Sequence, residues 1–483
     1  MSENADPGHV RSRGARQPLA IVGATFLLAA LIGIGLSLWR EPGEPAAAAA
    51  APPAAIPDQG PISIALAGDS SLLAPLDPAT PGYAAAIEIV RGSTLGFTNL
   101  EVNLLDAETA RGADARPAPH WLHGSPANAR QLREMGFDLI SLANNHAVDF
   151  GPEGLRSTVK ALGDAGFKSA GAGMDLREAQ APAVVGTGAR RVAMVAVTAS
   201  FVPGARASAS QPDIQGRPGV SGLSYEADIT VDAQTFQTLA QSIAQLNAGP
   251  PAGEHELTMF GTRIRKGDHT HIDFHVDAKD QQDVLGQIRA ARSGAEVVVV
   301  SIHSHEPSNA SDEPAEFIRE FAHAAIEAGA QVVVGHGPHR LRGAEVYKGG
   351  LIFYSLGNFL YQTEGLDFRA ADFFDAGKDL YSVALGASAD PGAATAQLER
   401  DWWWESVLAV PVFENGRLTG ARIYPLDLTG AAPGAARGVP RLASGDRADA
   451  VLRHFSTLSE PYATPMHRAV GGDELVVPIP EFR

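Results

Sequence analysis

The run Glu296-Val297-Val298-Val299-Val300-Ser301-Ile302 constrains the fold more than any other stretch of the chain. It has no polar face, and β-branched side chains favour extended backbone. A strand of this kind has to be covered on both sides, as an interior strand of a parallel sheet is. His303-Ser304-His305-Glu306-Pro307 follows at once. Those two imidazoles and that carboxylate fall where α/β sheets bind ligands, outside the carboxyl ends of their strands.

The same arrangement recurs along the chain. Ile62 to Ala67 reads as a short apolar strand ending in Gly68-Asp69-Ser70, and Thr94 to Val102 as another with Thr98-Asn99-Leu100-Glu101 at its end. Phe137 to Ile140 leads into Ser141-Leu142-Ala143-Asn144-Asn145-His146-Ala147-Val148-Asp149-Phe150-Gly151. Gln331 to Val334 runs into Gly335-His336-Gly337-Pro338-His339-Arg340. A hairpin turning at Lys348-Gly349-Gly350 empties into Gly357-Asn358-Phe359-Leu360. Helical periodicity fills the intervals Gly124 to Met135, Pro152 to Ala165, Asp283 to Arg292 and Glu313 to Ala328. This cadence predicts an α/β fold.

Taken singly, each tip residue reads as a turn or a helix cap, because Asn and Asp favour both. Taken together, converging strand tips would gather Asp69, Glu101, Asn145, His146, His303, His305, His336 and His339 in one cleft. Imidazole, carboxylate and amide oxygen suit a first-row divalent metal such as Mn, Fe or Zn. The donors outnumber those of one tetrahedral site, so two divalent metals are expected. A metal-activated water removes the need for a Ser or Cys nucleophile, and a spare histidine could protonate a leaving group. Such a cleft would divide its residues between holding metal and acting on the substrate. Asn144 and Asp149 shape the loop that presents Asn145 and His146.

The chain has no cysteine, which excludes thiolate ligands, thiol nucleophiles and disulfides. Its net charge is −17, the wrong sign for a nucleic-acid partner. From Gln17 to Trp39 there is no charged residue, and Pro18 to Leu38 is apolar over about the 20 residues a bilayer span needs. Arg11, Arg13 and Arg16 precede it, which puts the tail inside and the rest of the chain outside. Small residues at Ala46 to Ala51 leave signal cleavage as the rival reading. The expected map is a cytoplasmic tail (1–17), a transmembrane anchor (18–39), an Ala/Pro-rich linker (40–60), a main domain (61–390) and a C-terminal extension completing it (391–483).

Phe201 to Asp280 breaks the α/β cadence and reads as an insertion, with a helix from Asp232 to Asn247. His269 and His271 would share one face of a strand there, a weaker metal pair than those at the strand tips. Glu405 to Phe413 and Leu418 to Leu426 read as a hairpin around Asn415-Gly416, and Arg447 to Ser459 as a helix. Trp402, Trp403 and Trp404 read as packing residues. Arg340 and Arg342 either meet an anionic substrate or lie solvated on the surface.

Gly68-Asp69, Asn99-Leu100-Glu101, Asn144-Asn145-His146, the His303 stretch, Gly335-His336-x-Pro338-His339 and Tyr354-Ser355-Leu356-Gly357-Asn358-Phe359 together resemble the CapA family. These are poly-γ-glutamate capsule biosynthesis proteins, grouped with the calcineurin-like metallophosphoesterases. The resemblance covers roughly Ile62 to Tyr361. It implies a four-layer αββα sandwich with a dinuclear metal site and extracytoplasmic placement on an N-terminal anchor. Asp69 then matches the first metal-binding carboxylate, Glu101 the Asn-x-Glu acid, Asn145 and His146 the Asn-His pair, and His303, His336 and His339 the later ligands. Ser71 stands where the wider superfamily has a histidine, His303-Ser304-His305 replaces a common His-Trp-Gly, and Gly337 replaces a frequent histidine. The implied function is exopolymer or capsule biosynthesis, by metal-dependent hydrolysis or transfer on a phosphoester or anionic polymer. The alternative is a non-catalytic polymer-binding or export subunit. Synthase or export proteins are the implied partners.

Overall fold

The computed structural model describes residues 56–80, 82–106, 121–202, 204–247, 250, 252–259, 262–362, 400–429 and 437–480, all within the unit Ala51–Arg483. The apolar run 18–39, its preceding tail and the linker before Ile56 lie outside the described residues. Among the described residues no helix is long and apolar enough to cross a membrane.

The valine-rich run folds as strand Val297–His303, buried along its whole length. It lies between Arg190–Thr198 and Val332–His336, parallel to both. Gly350–Leu356 adds in parallel, and the antiparallel strands Leu341–Tyr347 and Ala183–Thr187 close the edges of this six-stranded sheet. A second, ten-stranded sheet is built around Ile62–Ser71. That strand pairs in parallel with Leu95–Leu100 and with Asn358–Tyr361, and antiparallel with Glu405–Glu414. Leu139–Ser141 and Lys168–Ala170 extend the sheet on one side, Arg417–Asp427 and Leu475–Pro478 on the other.

Alternation along these strands sends every second side chain to a shared interior. Ile64, Leu66, Phe97 and Val407 of one sheet and Met194, Val299, Val334 and Phe353 of the other form a single apolar cluster. The opposite face of the larger sheet is covered by the helices Tyr83–Gly92, Asn128–Glu134 and Gly151–Asp164, and that of the smaller by Ala278–Gly294 and Glu316–Glu327. The helix expected from Gly124 starts later because His123–Gly124 pairs as a short strand with Asn103–Leu104.

The chain crosses between the sheets at Gly357, where φ is +76°. Gly68 packs against this crossing so closely that a Cβ there would lie 1.8 Å from the Gly357 carbonyl oxygen. The two sheets therefore meet at the ends of their strands. Asp69 is in register with both Asn99 and Asn358, and His303 is in register with His336. At the other end of the same strand, Ile56 is buried in the interior cluster. Arg190 Nε donates to the Pro57 carbonyl (3.0 Å) and Nη2 to that of Gly60 (2.8 Å).

Within the insertion, Tyr225–Asp232, Glu256–Met259, Thr262–Gly267 and His271–Val276 form a four-stranded sheet of their own. Helix Ala233–Leu246 covers it through Val231, Phe236, Ile243, Leu257 and Ile264, and Asp232 caps that helix through the Gln234 and Thr235 amides. Sequence periodicity showed only the helix, because these strands are mostly polar on their open face. His269 precedes the strand rather than sharing it. Its ring stacks on that of His271 at 4.5 Å, and His271 Nε2 lies 3.1 Å from Asp273.

Candidate functional site

The carboxylates come from the larger sheet. Asp69 is fully buried near the end of its strand. Asn99 Nδ2 donates to its Oδ1 at 2.7 Å and the Gly337 amide to its Oδ2 at 2.9 Å. Burial pushes Asp69 up to about 6 against the pull of those two donors. Glu101, also fully buried, has no hydrogen-bond partner for either carboxylate oxygen. Burial, with the charges of Asp69 and Asp149 added, holds it well above the usual carboxylate range.

The imidazoles come from the smaller sheet. His336 Nδ1 lies 3.5 Å from Asp69 Oδ1, yet neither of its ring nitrogens has a hydrogen-bond partner. His339 Nδ1 lies 3.8 Å from both Asp69 Oδ2 and Glu101 Oε2. His303 Nε2 is 3.7 Å from Glu101 Oε1 and 3.2 Å from His305 Nε2. Burial holds His336 and His339 down at about 3, and lowers His303 and His305 as well. Metal coordination uses this neutral form.

Two further amides set ring orientation. Asn358 Oδ1 lies 2.9 Å from His339 Nδ1, and Asn309 Oδ1 lies 2.8 Å from His305 Nδ1. An amide oxygen can only accept, so each Nδ1 carries its proton and each Nε2 keeps a lone pair. Ligating histidines are oriented in the same way, by a hydrogen bond from their other nitrogen.

Buried polar atoms normally have partners. Here both Glu101 oxygens, both His336 nitrogens and Asn145 Oδ1 lack one. Glu101, His305 and His339 each bring a donor atom within 4.8 Å of the others. An unpaired Glu101 carboxylate beside Asp69 and neutral imidazoles fits a hard or borderline divalent cation, and the donor set contains no thiolate.

The Ser141–Gly151 loop stands at the same end. Asn144 Nδ2 donates to Asn99 Oδ1 (3.1 Å) and to the Leu100 carbonyl (2.8 Å), while its own oxygen accepts from the His146 amide (3.1 Å). The expectation that Asn144 shapes this loop is met by these bonds. Asp149 does more than was expected of it: its Oδ2 lies 2.7 Å from His146 Nδ1 and also accepts from the Leu122 amide at 2.9 Å. It therefore fixes the ring that carries the free Nε2.

Arg340 and Arg342 are neither solvated nor open to a ligand. Both are buried, and they donate to the loop 308–312: Arg340 to the Ala310 carbonyl (2.7 Å) and to Asp312, Arg342 to the Ser308 carbonyl (3.1 Å). Burial lowers Arg342 to about 10. Trp403 and Trp404 pack in the core, and the Trp403 ring also lies 5.1 Å from His339, behind the cluster. Asn99, Asn309 and Asn358 carry no chemistry that marks them in the sequence. Asn99 and Asn358 stand within the motifs that carry the resemblance, but no role was assigned to them there.

Fold and site together define an α/β protein with a histidine–carboxylate cluster where the strand tips of two sheets meet. The chain belongs to the bacterial capsule synthesis protein family PGA_cap, whose model matches residues 60–363. It is 34% identical over 396 residues to the uncharacterised protein y4sH of Sinorhizobium fredii, covering 80% of this chain and 86% of that one. It is 30% identical over 270 residues to a probable polyglutamine synthesis accessory protein of Mycobacterium tuberculosis, covering 55% and 56% of the two chains. The capsule biosynthesis protein CapA of Bacillus anthracis is 28% identical over 240 residues, 50% of this chain and 44% of that one.

Proposed function

We propose that this chain is an extracytoplasmic protein of exopolymer or capsule biosynthesis, held to the membrane by residues 18–39, with a metal-dependent hydrolase or transferase site at Asp69, Glu101, Asn145, His303, His305, His336 and His339. The proposed architecture is the four-layer αββα sandwich, with the strand-tip cluster at one end. One observation carries the reading above all: two buried acids and four neutral histidines lie within a few ångströms of one another, with several donor atoms left unpaired.

Bound metal would supply an activated water and neutralise charge on a phosphoryl or acyl oxygen. The protein's own part is to hold its ligands as lone-pair donors and to exclude water around them. Asp149 keeps His146 in one tautomer, so that His146 Nε2 can hand a proton to, or take one from, a substrate atom. His146, His305 and His339 retain slight exposure, whereas Asp69, Glu101 and His303 have none. Substrate therefore approaches along the first group. An anionic polymer or phosphoester fits such a cluster once it carries divalent metal, and curated relatives are named for capsule, PGA and polyglutamine synthesis.

The full chain purified in detergent should carry divalent metal and turn over p-nitrophenyl phosphate or its bis-ester with added Mn2+. Asp69→Ala should lower both metal content and rate, the rate by about 100-fold. Bound metal with no turnover, and retained binding of an anionic polymer, would instead identify a non-catalytic polymer-binding subunit. Absence of metal from the wild-type chain under saturating Mn2+ would sink the reading.

A further inference from the structure

The insertion reaches back to the cluster through one hydroxyl. Tyr225 opens the insertion's longest strand, and its ring is set against Phe274 (5.5 Å) and Phe317 (5.0 Å). Its OH donates to Glu306 Oε1 at 2.6 Å. The other oxygen of Glu306 accepts from Ser200 Oγ (2.8 Å) and Ser304 Oγ (2.6 Å). Ser200 Oγ in turn accepts from the His305 amide at 2.8 Å.

The order of these bonds matters. A hydroxyl has one proton and two lone pairs. Because Ser200 gives its proton to Glu306, a lone pair is left facing the His305 N–H. Glu306 thus sets the rotor of Ser200, Ser200 sets the backbone of His305, and Asn309 sets its ring. Without the Tyr225 hydroxyl, Glu306 Oε1 loses its donor, and the carboxylate is held only from the serine side.

We propose that the insertion is a working part of the cluster: Tyr225, acting through Glu306 and Ser200, is a positioning residue for His305. The proposal rests on the reading that the cluster holds metal.

The test is Mn2+ titration of chelator-stripped full chain by calorimetry, with the visible spectrum of the Co2+-loaded protein as a second readout. Tyr225→Phe should weaken Mn2+ binding on the order of 10-fold and shift the Co2+ bands. Glu306→Gln should repeat the loss. Tyr354→Phe is the matched control, because it removes another buried Tyr–Glu bond (2.5 Å to Glu345) with no link to the cluster. It should leave Mn2+ affinity within about two-fold and the Co2+ spectrum unchanged. If Tyr225→Phe does not fold, Ser200→Ala carries the same prediction. Wild-type affinity and spectrum in these variants, or an equal loss in Tyr354→Phe, overturns the inference while leaving the metal site standing. Failure of the wild-type chain to bind Mn2+ overturns the metal site, and this inference with it.

Discussion

Gly337 shows how tightly single positions are specified near the cluster. Its φ is +112°, a Cβ would lie 2.9 Å from the Ser304 backbone, and its amide donates to Asp69. Any side chain at this position would push against the backbone that follows His303. Gly337→Ala should destabilise the protein by about 1–3 kcal/mol in denaturant unfolding, from strained backbone and a displaced neighbour. It should also weaken metal binding, because the strained backbone shifts the amide that fixes the Asp69 carboxylate. At this scale the sequence was informative about donors and silent about supports. Asp69, Glu101 and the histidines carry chemistry in their side chains and follow apolar runs, so they can be picked out. Asn309 and Asn358 act only by lying opposite a ring nitrogen, and that is a tertiary fact. The further bond of Asp149 to His146 was hidden for a related reason: an Asp in a turn looks the same whether it bonds its own backbone or an imidazole three residues back.

Elements buried on both faces, such as Val297–His303 and Val332–His336, were legible because continuous β-branched runs admit little else. The insertion's strands were not. Thr262–Gly267 reads Thr-Arg-Ile-Arg-Lys-Gly, with one apolar residue to bury, and one of its two partners, Tyr225–Asp232, is distant in sequence. The loop 308–312 was hidden as well, because its order comes from Arg340 and Arg342 on another strand. Arg342→Ala should therefore release this loop. Unfolding free energy should fall by about 1–3 kcal/mol as the Ser308 carbonyl loses its donor. Proteolysis should then begin between Ser308 and Asp312, where the wild-type chain resists it. A variant as resistant as the wild type would show that the loop holds itself.

For the molecule as a whole, the cluster makes metal-free stability depend on pH from two directions. The histidines are lowered by burial, His336 and His339 to about 3, while their unfolded value is about 6.5. The stability they contribute is present above about pH 6.5 and is lost as pH falls toward 3. Asp69 is raised to about 6 from an unfolded value near 3.9. Its contribution is present below about pH 4 and is lost as pH rises through 6. Metal requires the ionised acid and the neutral imidazole, so the gain in Tm on adding Mn2+ should increase from about pH 5 to about pH 7 and then level off. A gain independent of pH would mean that the ion binds elsewhere.

The strand that ends at Asp69 begins just after the segment clamped by Arg190, with Ile56 sunk in the interior. Tension applied to the chain ahead of Ile56 would run along the axis of Ile62–Ser71. The hydrogen bonds to Leu95–Leu100 and Glu405–Glu414 lie across that axis and would be sheared together rather than unzipped one by one. Before they are stressed, the pull must first draw Ile56 out and break the Arg190 clamp. Such a pull would load the entry end of the strand while the cluster at the far end keeps its geometry.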